Sequence, residues 1–163
     1  MKRLLFLGII ILPLLFSSCR GQNYGILSYQ EKNIDAVCTL NSIYKIQISK
    51  ENIGGRVCFL EPKELSTVSF SIENSTVTAN ASGTKIPLPT DGARGILAIF
   101  NMFSLSEGDL RCAKESEGYS YMEFSNDYGV YALTLNKSSL PKSVRIVSSE
   151  YTFDIIIDTI SLS

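Results

Sequence analysis

Apolar and polar residues alternate with period two through most of this chain, and turn residues interrupt the alternation roughly every 8 to 12 positions. Side chains of a strand point alternately to its two faces, so each alternating run predicts a strand with one apolar face. "AVCTLN" puts Ala36, Cys38 and Leu40 together, and "YKIQISK" sets Tyr44, Ile46 and Ile48 against Lys45, Gln47 and Ser49. "ENIGG" reads as a turn into "RVCFLEP", which Pro62 closes. "TVSFSIE" aligns Val68, Phe70 and Ile72. Glu73-Asn74 then turns into "STVTANA", and Ser82-Gly83 turns into "TKIPLP". Six short antiparallel strands in succession make a meander.

The period then changes. In "TDGARGILAIFNMFS", Ile96, Ile99, Phe100 and Phe103 recur at helical spacing, and Leu97 and Met102 widen the stripe. This predicts one helix over about Asp91 to Phe103, capped by Thr90 or Asp91. So apolar a helix must be largely covered. Strands resume with "DLRCAKE", "YSYMEFS", "GVYALTLN", "SVRIVS" and "YTFDIIIDTIS". The last places Tyr151, Phe153, Ile155 and Ile157 on one face, with Asp154 and Asp158 opposite. The sum is a mainly β (α+β) chain of about 10–11 strands and one helix, whose twisted antiparallel sheet is long enough to curl.

The N-terminus follows a different rule. Lys2 and Arg3 precede an uncharged run of 13 residues, Leu4 to Phe16, broken only by Gly8 and Pro13. A membrane span needs about 20 apolar residues, so the run has the length of a secretory signal instead. Ser17-Ser18 supplies the small residues of a cleavage site. Cys19 directly after them resembles the bacterial lipobox, in which that Cys is acylated and becomes the first residue of the mature chain. Phe16 stands where that motif usually has Leu; plain secretion and an uncleaved anchor are the alternatives. The expected organisation is a lipoprotein signal peptide over 1–18, a lipidated Cys19 with a short tether over 19–25, and one domain over 26–163. Two or three acyl chains hold stably where one does not, since each buried CH₂ adds about 0.8 kcal/mol. The expected place is the extracytoplasmic face of a bacterial membrane, in the cell envelope.

Loss of Lys2 and Arg3 leaves 13 basic against 16 acidic residues, a net charge of −3. That balance and the lack of a basic patch exclude nucleic acid as a partner. Three cysteines remain, Cys38, Cys58 and Cys112, an odd number. Cys38 with Cys58 is the pair favoured by separation. The preferred alternative buries all three as small apolar residues of strands. The chain has no histidine, which removes Ser-His and Cys-His pairs and the usual base near neutral pH. Glu107 with Asp109, and Asp154 with Asp158, read as a turn and as the solvated face of a strand. No enzyme activity, no metal site and no cofactor is expected.

A lipobox, a strand meander, one apolar helix inserted midway and a second antiparallel run together resemble the LolA/LolB-like lipoprotein-carrier superfamily. The layout is also similar to that of small lipoproteins of Gram-positive anaerobes. "GGRVCFLEPKELSTVSFSIEN", the helix "DGARGILAIFNMF" and "LTLNKSSLPKSVRI" carry the likeness. It implies an incomplete barrel with the helix packed on its concave face, over an apolar cavity. No binding residue transfers by motif. The cavity candidates are therefore the apolar residues of the helix and inward faces: Phe59, Phe70, Ile72, Ile99, Phe100, Phe103, Met122, Leu133, Phe153 and Ile155. The expected function is a membrane-anchored binding module for an apolar ligand or acyl chain. The alternative is a filled core in a lipoprotein that contacts an envelope protein through a sheet edge or the Tyr119 to Tyr131 region.

Overall fold

The computed structural model describes residues 29–116 and 118–163; the expected signal peptide, Cys19 and the tether to residue 25 lie outside them. The first meander comprises β1 (Ile34–Leu40), β2 (Tyr44–Glu51), β3 (Gly54–Glu61), β4 (Val68–Glu73), β5 (Thr76–Ala81) and β6 (Thr84–Pro87). Helix α1 (Thr90–Asn101) follows. The second meander comprises β7 (Leu110–Ser116), β8 (Tyr119–Asn126), β9 (Gly129–Leu135), β10 (Pro141–Val147) and β11 (Thr152–Leu162). All eleven strands form one antiparallel sheet in the order β6-β5-β4-β3-β2-β1-β11-β10-β9-β8-β7. The sheet is curved and unclosed, an incomplete barrel with a single helix among the described residues. Pairing of β1 with β11 joins the two meanders, and backbone bonds between Asn33 and Ser163 extend that seam.

Hairpin chemistry sets the strand breaks. Asn74-Ser75 and Ser82-Gly83 both hold positive φ at their two turn positions, the backbone that a tight two-residue hairpin needs. The turns are those expected, displaced by one residue at Asn74.

Two local features differ from expectation. Neither Thr90 nor Asp91 caps α1. Pro89 occupies the cap position, its carbonyl accepts from the Ala93 N–H at 3.0 Å, and no side chain caps the end. Proline suits this place because its fixed φ leads into the helix and its missing N–H would have been unpaired anyway. The helix also ends at Asn101. Phe103 and Ser104 donate three residues back, to Phe100 and Asn101, so Met102 and Phe103 form a tightened final turn that stays fully buried.

A bulge explains the end of β11. The register against β1 shifts between Val37 and Cys38, where Val37 faces Thr159 and Cys38 faces Ile157. Strict alternation beyond Ile157 would turn Thr159 and Ser161 inward. The extra residue, Asp158, instead brings Ile160 and Leu162 onto the core side. Asp158 faces outward and accepts from the Thr39 hydroxyl at 2.9 Å.

Inward residues of both meanders and α1 make one continuous core, in which no charged or polar residue is buried among the described residues. Cys38 is fully buried and directly opposite inward-facing Ile46, whereas Cys58 is half-buried on the other face. Side chains on opposite faces of a sheet cannot be bridged, and Cys38, Cys58 and Cys112 are all free thiols. Burial, aided by the negative charge of Asp158, pushes the Cys38 thiol up from near 9 to about 12. Burial likewise raises the hydroxyls of Tyr29 and Tyr131.

These shifts have a sign. Above pH 9 an unfolded thiol loses a proton that folded Cys38 keeps, so stability falls as pH rises from about 9 toward 12. The urea midpoint is expected to drop steadily over that range, and less steeply in Cys38→Ala, where Cys58 and the tyrosines, also raised by burial, remain to contribute. Equal slopes for the two proteins would show that Cys38 is not held neutral by the core.

Candidate functional site

Directly opposed residues in an antiparallel sheet share a face, which allows the concave surface to be followed row by row. One row runs Ala36, Ile48, Val57, Phe70, Ala79, Ile86 from β1 to β6. The first three are buried, Phe70 and Ala79 are half-buried, and Ile86 is 51% exposed. A second row runs Cys38, Ile46, Phe59, and again the last residue is only half-covered. The row nearer the other strand ends behaves differently: Ile72 and Val77 stay buried. There Phe100 of α1 reaches down onto Gly55, where an added Cβ would lie 2.7 Å from its ring. The helix thus seals one end of the β1–β6 concavity and leaves the other open.

The open part is an apolar strip. Tyr44 meets Phe59 edge-to-face with ring centroids 5.8 Å apart, and Phe59 meets Phe70 similarly at 6.4 Å. Ala79 and Ile86 continue it to the β6 edge. The strip crosses four interstrand spacings, about 19 Å.

On the other side of the barrel the concavity is closed. Tyr131, Leu133, Leu135, Met122, Phe124, Val144 and Ile146 are all buried, in one core cluster with residues of α1 and its final turn. Polar ties fasten the helix to this half. The Tyr131 hydroxyl donates to the Ala98 carbonyl at 3.2 Å, and Arg94 donates to the Asp127 carbonyl at 2.6 Å. The Tyr151 hydroxyl bonds the Tyr128 carbonyl at 2.6 Å, and its ring stacks on Phe153. Toward β1–β6, the contact of Phe100 with Gly55 is apolar.

Of the ten residues expected to line a cavity, Ile72, Ile99, Phe100, Phe103, Met122, Leu133 and Ile155 lie in the closed core. Phe59 and Phe70 are in the open strip. Phe153 is half-buried elsewhere, beside Gly95 and Tyr151. Sequence reasoning missed Tyr44, Ala79 and Ile86 as strip residues. Tyr44 carried a signal, since it alternates in phase with buried Ile46 and Ile48; Ile86 sits in too short a strand to show one. The acidic pairs are accounted for locally. Asp109 accepts from the Ser106 hydroxyl at 2.6 Å, and Asp154 lies 3.6 Å from Arg145, both on the surface. In the Tyr119 to Tyr131 region, Tyr119, Tyr121 and Val130 face outward, while Tyr131 is fully buried.

No protein-family profile matches the sequence, and no curated protein does. Among solved structures, an uncharacterised conserved protein from Thermus thermophilus is similar at a TM-score of 0.52 and 11% identity, over 85% of this chain and 83% of that one. A LolA superfamily protein from Nitrosomonas europaea is similar at a TM-score of 0.45 and 11% identity, over 88% of this chain and 94% of that one. At such identity the first likeness speaks to the fold alone.

Proposed function

We propose that this chain is a lipid-anchored, non-catalytic binding module of the bacterial cell envelope that holds an apolar ligand or acyl chain on its concave face. The observation that carries this reading is the falling burial along Val57, Phe70, Ala79 and Ile86 on a face that is otherwise core. Aromatic and aliphatic side chains left open on the inside of a curved sheet are suited to a narrow apolar guest, since each Å² they withdraw from water contributes about 25 cal/mol. The lipobox-like "LLFSSCR" supports the anchor, and the kinship with small Gram-positive lipoproteins belongs to the same reading. An envelope-protein contact through Tyr119, Tyr121 and Val130 is less favoured, because the Lys142 ammonium lies over the Tyr119 ring and Glu123 borders Tyr121.

Cys19→Ala tests both halves. The variant is expected to move from the membrane to the soluble fraction of its host. Native mass spectrometry of that soluble protein should then show a retained acyl-containing species, which Phe70→Glu abolishes. Firm membrane retention of Cys19→Ala would end the anchor reading. Bare protein, with no melting shift on adding palmitate, would end the ligand reading.

A further inference from the structure

The open strip ends at β6, where the backbone is as informative as the side chains. β6 is one edge of the sheet, and among the described residues its strand pairing is to β5 alone. Just beyond it, the Leu88 N–H donates to the Val77 carbonyl of β5 at 2.8 Å. Alternate residues of an antiparallel strand turn their N–H and C=O to the same side, so Ile86 and Thr84 also face β5. Lys85 and Pro87 therefore face away from the sheet. Proline has no N–H, which leaves Lys85 as the outward backbone donor of β6, next to strip residue Ile86. The Lys85 side chain is exposed, and its ammonium joins no ion pair among the described residues.

The other end of the strip is different in kind. Tyr44 and Phe59 present rings from interior strands, each of which has a neighbour on both sides. Beyond them the face is closed, since Leu40, directly opposite Tyr44, is buried. No strip residue is charged. A free donor and an unpaired cation thus adjoin the strip where it is most open, at the edge next to Ile86. We infer that β6 is the head-group end of the site and that the ligand is an acyl compound. Its tail lies toward Tyr44 and Phe59, and its carbonyl or carboxylate oxygen accepts from the Lys85 N–H. The Lys85 ammonium adds attraction for a free acid. This rests on the apolar-ligand reading for the strip and gives that ligand a direction and a polar anchor. Whatever follows the carbonyl stays outside the sheet edge, in water.

The test reads direction on the soluble Cys19→Ala protein, through its backbone amide resonances. Stearate with a nitroxide near its carboxylate should broaden Lys85 and Ile86 most. The same acid with the nitroxide near its methyl end should broaden Tyr44 and Phe59 most. Unlabelled stearate should shift the Lys85 amide resonance and bind about threefold more tightly than octadecanol, the scale of one exposed ion pair. Lys85→Gln should abolish that preference, and Lys85→Arg should keep it. The reverse broadening pattern, or one pattern from both labels, would overturn the inference while leaving the strip occupied. A Lys85→Gln protein that still prefers stearate would overturn it as well. If neither label broadens any strip residue, the apolar-ligand reading itself falls, and the inference falls with it.

Discussion

Phe103→Ala is expected to cost about 4 kcal/mol of folding stability, the range for emptying a buried aromatic site. Phe103 is fully buried in the tightened turn that ends α1, between fully buried Met102 and Leu105 in sequence. Backbone bonds from Phe103 to Phe100 and from Ser104 to Asn101 hold that turn, so little rearrangement is available to refill the space. A domain of this size has only about 5–15 kcal/mol to lose. The variant should therefore fold marginally, with a urea midpoint far below that of the parent and an unchanged slope. Ile53→Ala is the control. Ile53 is 82% exposed at a hairpin tip, and its loss should stay within about 0.5 kcal/mol. A Phe103→Ala loss below about 1 kcal/mol would mean that α1 does not end inside the core.

Gly55→Val is the second large effect, and its sign opposes local propensity. Valine favours strands and glycine weakens them, so the change would help β3 if the site were open. The site is not open. A Cβ at Gly55 would overlap the Ser49 carbonyl oxygen and stand 2.7 Å from Cε2 of Phe100. Overpacking of this kind costs about 1–3 kcal/mol, and the upper end is expected because one of the obstacles is backbone. Phe100 must also lift, exposing Ile72 and the row beneath it. In a Phe100→Ala background the cost should shrink but not vanish, since the Ser49 overlap remains. Thermal unfolding of the four proteins measures this directly. A Gly55→Val protein as stable as the parent would show that Phe100 does not rest on β3. The helix would then not be the seal at one end of the β1–β6 concavity.

The strands, their inward faces and the helix were all legible in the sequence because they rest on local geometry. Alternation from Tyr44 to Ile48, or Tyr131 to Leu135, follows from the pleat of one strand, and the 3–4 spacing of Ile96 to Phe103 follows from one helix. Cys38 and Cys58 belong on opposite faces for the same reason, although their separation alone suggested a pair. The expected N-terminal signal rests on local pattern too, in Lys2, Arg3 and the apolar run to Cys19, and lies outside the described residues. Tertiary structure decided what local pattern cannot carry. Asp158 bulges because β11 must match β1, a strand more than a hundred residues away, and only that match turns Ile160 and Leu162 inward. Phe59 and Phe100 look alike in sequence, yet one is half-open and the other is seated on Gly55, because α1 lies over one end of the curved sheet. Gln30 and Lys50 meet only when the chain ahead of β1 folds against the end of β2. Periodicity assigns a side chain to a face; whether that face is covered depends on residues the period does not see.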